Sequence, residues 1–254
     1  MTTKKGWNQT SNERFFKDFG GKKDVYVKNV DRTREHNQRI VMSISMDVSP
    51  SIGEIYPEII FSFNEIMIPS LIKVKKKYQR TLRVGATAFS DYIVPIWNGF
   101  ENCDEIQDKR LTMETIKKTN PNGTALYQAM IETIQVAINA ANQISKDEDT
   151  TPAKVKVLIV TDGANNRLPT DAREVRRITE ELQDNRRVQL ALAYFKTSHG
   201  LNRDQFNSMA KATGFFKENY YFDISSGTLE ERKRSFRHFF GILSENMSKS
   251  SGKM

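Results

Sequence analysis

Thiol and imidazole are scarce in this chain, whose 254 residues include one cysteine, Cys103, and three histidines, His36, His199 and His238. One cysteine excludes an internal disulfide framework. Three histidines without shared spacing offer neither a zinc site nor a hydrolytic triad, so they read as surface or packing residues. Nothing around Cys103 marks an activated thiolate, and it reads as inert. Long apolar runs are also missing: no uninterrupted stretch approaches the roughly 20 residues that span a bilayer. The start, Met1-Thr-Thr-Lys-Lys-Gly-Trp7, has basic residues but no apolar core behind them, so no secretory signal is expected. These absences together predict a cytoplasmic protein that does not enter a membrane.

Hydrophobic residues make up 38% of the chain and charged residues 28%, which describes a rather polar globular protein large enough to bury a substantial core. The net charge of +8 is concentrated at the ends. Residues 1–38 hold nine Lys/Arg against five Asp/Glu, and residues 229–254 hold six against three, leaving the body nearly neutral. This divides the chain into a basic N-terminal extension (1–38), one domain (39–248) and a short tail (249–254). Basic ends suit solubility first, and contact with nucleic acid or an acidic protein second.

Within the extension, Phe15, Phe16 and Phe19 predict an aromatic cluster packed on the body, and the alternation over 24–30 predicts a short edge strand. The segment 39–46 is the first strong strand. A helix follows over 52–77 from the spacing of Ile55, Ile59, Ile60, Phe63, Ile66 and Met67, with Pro57 in its first turn and Pro69 kinking it. Strands at 81–90 and 92–97 are joined too closely for a crossover helix, so they should pair antiparallel, with Pro95 at the sheet edge. A short helix at 105–118, a long amphipathic helix at 124–144 and the unbroken apolar strand ending at Thr161-Asp162-Gly163 come next. The acidic Asp147-Glu148-Asp149 lacks the spacing of a calcium loop and reads as solvated. A helix at 169–185, a strand at 187–195, a helix at 203–213, a strand at 220–224 and a helix at 229–248 complete an alternating pattern. Such alternation predicts a Rossmann-like, doubly wound α/β fold: a mostly parallel sheet, one antiparallel edge strand and helices on both faces.

Three places in this pattern offer one chemistry. Asp47, Ser49 and Ser51 follow the first strong strand, Thr124 opens the long helix, and Asp162 ends the buried strand. Open α/β sheets bind ligands beyond the carboxyl ends of their strands, where all three places fall. Two carboxylates and three hydroxyls form an oxygen-only set, suited to a hard divalent cation, Mg²⁺ or Mn²⁺. The final helix carries Arg232, Lys233, Arg234 and Arg237 on what reads as the basic outer face of a cover helix.

At Asp47-Val-Ser49-Pro-Ser51, Gly123-Thr124-Ala-Leu126 and Thr161-Asp162-Gly163 the chain resembles the von Willebrand factor A (vWA) family and its metal-ion-dependent adhesion site. The resemblance implies that Ser49, Ser51 and Thr124 reach the metal directly while Asp47 and Asp162 act through bound water. It implies a partner protein that completes the shell with a Glu or Asp. One departure stands in the first loop, where Pro50 and Ile52-Gly53 replace the Gly and following Met of many members. The expected function is a divalent-cation-dependent scaffold or adaptor module with no catalysis and no small-molecule substrate. It is similar to small soluble bacterial members, some tied to tellurium resistance or stress response. Two alternatives belong to other classes. A Mg²⁺-dependent phosphoryl-transfer enzyme would use Asp47 as nucleophile, but Ser49 stands where its second acid belongs. A nucleic-acid-associated protein would use the basic termini.

Overall fold

The computed structural model describes residues 39–249 except 79–81, 148–152, 164, 167–169, 183–186, 198–199, 216–217 and 225. The expected aromatic cluster at 15–19 and edge strand at 24–30 lie outside these residues, as do His36 and His199.

Strand β1 (Ile40–Asp47) is mostly apolar and is buried over its whole length, as a strand covered on both faces must be. It pairs in parallel with β2 (Leu82–Phe89) on one side and with β5 (Lys154–Thr161) on the other. Beyond β5 lie β6 (Val188–Lys196) and β7 (Glu218–Asp223), both parallel. Beyond β2 lie β3 (Ile93–Pro95) and, off the main path, β4 (Glu101–Asn102), both antiparallel to β2. The order is thus β3-β2-β1-β5-β6-β7. The expected antiparallel edge is present with Pro95 in it; β4 is an additional antiparallel piece that the sequence pattern did not announce.

Alternate residues of each strand feed two cores. Ile40, Met42, Ile44 and Met46 face one side with Val84, Leu158 and Phe195, covered by the helical run after β1 and by the last helix. Val41, Phe89, Val157, Ile159 and Tyr194 face the other side, covered by the three helices described next. These are α4 (Leu126–Asp147), α5 (Ala172–Leu182) and α6 (Arg203–Thr213). The last helix is α7 (Leu229–Lys249). Its Phe236, Phe239 and Phe240 are buried against the first core.

The run after β1 is continuous but not uniform. A 3₁₀ turn (Pro50–Ile55) leads into α1 (Tyr56–Phe61), a π turn (Ser62–Met67) and α2 (Ile68–Tyr78). Pro69 accounts for the π turn: proline has no N–H for the carbonyl four residues back and its ring crowds that carbonyl, so the preceding turn widens. Taken with its polar interruptions, Pro50–Lys73 is long and apolar enough to cross a membrane, which a search for uninterrupted apolar residues overlooks. Its Ile52, Ile55, Ile59, Phe63 and Leu71 are buried in the first core, as a cover helix requires.

The expected helix at 105–118 is corrected to α3 (Met113–Lys118). Residues 103–108 form turns instead. The carboxamide of Asn64 clasps the backbone of Leu111, donating to its carbonyl at 2.9 Å and accepting from its N–H at 2.9 Å. Trp97 Nε1 donates to the Lys109 carbonyl at 2.9 Å. Carbonyls and amides held from outside are lost to a helical ladder. Only after Thr112, whose hydroxyl caps Thr115 N–H, does the helix begin.

The basic outer face expected for α7 is largely engaged. Arg237 pairs with Glu58, itself 3% exposed, and lies 4.5 Å over the Phe61 ring, while Arg232 reaches Glu54 at 3.6 Å.

Candidate metal centre

β1 lies between strands reached in opposite directions from it: the chain passes over one face to β2, and the later strands run outward through β5. The carboxyl ends of β1 and β5 therefore border the crevice where doubly wound sheets bind ligands. Asp47 ends β1 and Asp162 follows β5 directly. Both side chains are fully buried.

Asp47 accepts from two donors. Ser49 N–H bonds Oδ1 at 2.8 Å, closing an Asx turn that bends the chain out of the strand. Thr161 Oγ1 on the neighbouring strand donates to Oδ2 at 2.6 Å and itself accepts from Gly163 N–H at 3.2 Å. Asp162 accepts from two hydroxyls, Ser51 Oγ and Thr197 Oγ1, each at 3.0 Å on a different carboxylate oxygen. Ser49 Oγ and Ser51 Oγ lie 3.0 Å apart. Ser51 is the exposed member of the group, so the cluster opens to solvent on its side.

Two hydroxyls that commonly cap helices are free of that duty. Ser49 stands at the N-cap of the 3₁₀ turn without a side-chain cap bond. Pro50 follows it, removing one N–H that would otherwise seek an acceptor. Thr124 precedes α4, yet the helix start is capped from the loop after β5: Asn166 Oδ1 accepts from Thr124 N–H at 2.7 Å and Asn165 Oδ1 from Tyr127 N–H at 3.2 Å. The turn bearing Thr124 is fixed from the other side by Ser90, whose carbonyl accepts from Ala125 N–H at 2.8 Å. A Cβ on Gly163 would sit 3.7 Å from Thr124 Oγ1 and 3.9 Å from Asp47 Oδ2, so the bare glycine leaves the space between them open.

The electrostatics of the cluster point to a missing positive charge. Burial pushes the Asp47 carboxyl above the usual carboxylate range despite its hydrogen bonds. Burial, and then the Asp47 charge, push Asp162 up to about 7. Among the described residues no Lys, Arg or His pairs with either acid. A divalent cation would neutralise both, and the donors present are all hard oxygens. No group of three or more His, Cys, Asp or Glu comes together among the described residues; the cluster is two carboxylates with hydroxyls, without the thiolate or imidazole that a softer metal favours. The five residues expected from the sequence, Asp47, Ser49, Ser51, Thr124 and Asp162, thus converge.

Sequence reasoning missed Tyr56 and Thr197. The Tyr56 hydroxyl donates to the carbonyls of Val48 and Ser49 at 2.8 and 3.0 Å. Burial and the charges of Asp47 and Asp162 push its phenol up to about 12. Thr197 follows β6, and no local motif surrounds it. The hydrophobic spacing of the run after Ser51 assigned Tyr56 no role beyond helix packing.

No protein-family model matches the chain. No curated protein matches it either. Solved structures do. The PilB minor pilin from Streptococcus sanguinis is similar over 85% of this chain and 63% of its own, with a TM-score of 0.55 and 13% identity. Proximal thread matrix protein 1 from the mussel byssus, with a zinc-occupied MIDAS motif, is similar over 82% of this chain and 48% of its own (TM-score 0.50, 14% identity). The N-terminal domain of TFIIH p34 is similar over 81% of this chain and 98% of its own (TM-score 0.52, 10% identity). The chain spans less than two thirds of the length of the first two. At these identities the likeness is one of fold, a Rossmann-like α/β fold. The narrower expectation of a tellurium-resistance protein draws no support from these structures.

Proposed function

We propose that the chain is a divalent-cation-dependent protein-binding module of the adhesion or scaffold type. One observation carries this reading: two fully buried carboxylates, with no cationic partner among the described residues, face three hydroxyls at the ligand-binding edge of the sheet. Ser49, Ser51 and Thr124 would hold the ion directly, with Asp47 and Asp162 neutralising it largely through water. When bound, the ion supplies an electrophilic centre that accepts an outside carboxylate. The Glu or Asp of a partner protein is that ligand, approaching over the exposed Ser51. The mussel matrix protein, with its zinc-occupied MIDAS motif, supports the cation. The oxygen set favours Mg²⁺ or Mn²⁺ over zinc.

Catalysis is not part of this proposal. Both oxygens of Asp47 are engaged by Ser49 N–H and Thr161 Oγ1, which suits an orienting role and not a nucleophile. Ser49 occupies the place of the acid a phosphoryl-transfer reaction would need.

Calorimetric titration with MgCl₂, MnCl₂ and ZnCl₂ tests the cation, and binding of Glu- and Asp-containing peptides with Mg²⁺ or with chelator tests the capture. The expected outcome is Mg²⁺ or Mn²⁺ binding that is lost in Asp162→Ala, with peptide binding lost alongside it. Absence of heat with all three ions would sink the reading.

A further inference from the structure

Tyr56 is a side chain outside the five candidate ligands that holds the loop bearing two of them. Its hydroxyl reaches the carbonyls of both Val48 and Ser49, the two peptide units that flank the Ser49 Cα. The same Ser49 carbonyl accepts from Ile52 N–H at 3.2 Å, closing the 3₁₀ turn that carries Ser51. Ser49 gives its turn no side-chain cap, so the usual device for fixing a helix start is missing here. Proline at position 50 fixes one dihedral of the loop but provides no donor. The phenol holds the turn in another way: as a donor it anchors the start of the turn through main-chain carbonyls and leaves both serine hydroxyls facing inward.

Resting on the cation-binding reading above, we infer that Tyr56 is a positioning residue for the cation, presetting Ser49 and Ser51 by clamping the Val48 and Ser49 carbonyls. Residues that orient metal ligands from behind alter affinity without touching the ion. The ring of Tyr56 packs against the first core, so its packing and its hydroxyl have separable roles.

Tyr56→Phe removes the hydroxyl and keeps the ring. Its test is Mg²⁺ and Mn²⁺ titration by calorimetry, with the Mn²⁺ electron paramagnetic resonance spectrum as a readout of coordination geometry. Thr179→Val serves as control, because it deletes the remote bond from Thr179 Oγ1 to the Thr213 carbonyl. The expected result for Tyr56→Phe is a loss of affinity of roughly tenfold, with a broadened Mn²⁺ signal and a metal-free melting temperature no lower than that of the control. Thr179→Val should melt earlier and bind as the parent does. If the parent binds cation and Tyr56→Phe binds equally well, the positioning role is overturned while the cation site stands. A large drop in melting temperature with unchanged affinity of the folded fraction overturns it too, reducing the hydroxyl to a scaffold contact. If the parent itself binds no cation, the functional reading fails and the inference falls with it.

Discussion

Asp47 and Asp162 end neighbouring parallel strands and are equally buried, yet they are held by different kinds of neighbour. Asp47 is bonded by a main-chain N–H two residues on and by Thr161 of the adjoining strand, both fixed by backbone and register. Asp162 is bonded by Ser51 and Thr197, two hydroxyls on loops that can rotate or yield to water. The first acid is part of the sheet; the second is part of the opening. One donor pattern sets direction and the other permits exchange, a division of labour that a site receiving an outside ligand requires.

The largest effect should come from neutralising either acid. Asp47→Asn and Asp162→Asn should each weaken Mg²⁺ binding beyond the roughly 10–100-fold typical of residues behind the ligands, as read by calorimetry. The two should then part in metal-free melting experiments. A carboxamide at 47 turns its oxygen to Ser49 N–H and its NH₂ to Thr161, leaving the Thr161 proton without its acceptor. At 162 the hydroxyls of Ser51 and Thr197 turn or take water. Asp47→Asn should therefore be the less stable by about 1 kcal/mol; equal melting would erase the distinction.

A third buried acid sharpens the contrast by lacking a ring of donors. Glu132 on α4 is 1% exposed and accepts from Gln128 Nε2 at 2.9 Å. Burial pushes it up to about 7. Because the folded value lies above the unfolded one, its protonated form is favoured in the fold, and stability falls as pH rises from about 4.5 to about 7. Glu132→Gln removes that penalty. In denaturant unfolding it should exceed the parent by about 3 kcal/mol above pH 7 and match it at pH 4, without change in Mg²⁺ affinity.

The loop side of Asp162 is tested by Gly200→Ala. The new Cβ would meet the Asp162 carbonyl at 2.9 Å and the Tyr194 hydroxyl, itself bonded to the Leu201 carbonyl, at 2.5 Å. Neither can retreat freely, so a cost of about 2 kcal/mol and a several-fold weaker Mg²⁺ site are expected. Unchanged binding would show that Asp162 tolerates movement even of its backbone.

What the sequence made legible followed from local order. The apolar residues before Asp47, interrupted by Ser43 and Ser45, and the unbroken run before Thr161-Asp162 marked two central strands, and the oxygens after them fell on one edge because parallel strands share a direction. Pro95 marked an edge strand and Pro69 a disturbed helix. The stretch at 105–112 misled because Asn64, more than 40 residues earlier, removes Leu111 from any helical ladder. Strand β4, two residues long, has no period to detect. Tyr56 and Thr197 were illegible for a related reason: each acts through a hydroxyl reaching across a bend or from another strand's end. The helix caps Asn165 and Asn166 were hidden likewise, since a cap supplied through space leaves no mark at the position it serves.

The helical run containing α1 and the π turn at Ser62–Met67 also makes the site sensitive to chain length. A π turn lodges more residues than an α turn. Deleting one residue there would let the run relax to regular helix with its two halves still in phase, whereas deleting one from the regular helix of α1 would rotate the halves by about 100° relative to each other. With Phe63 and Leu71 held in the core, the rotation would fall on the half containing Tyr56, drawing its hydroxyl off the Val48 and Ser49 carbonyls. Insertions and deletions in α1, more than a full helical turn from any proposed ligand, would thus be read at the cation, which makes the phase of this helix as much a determinant of the centre as the oxygens that line it.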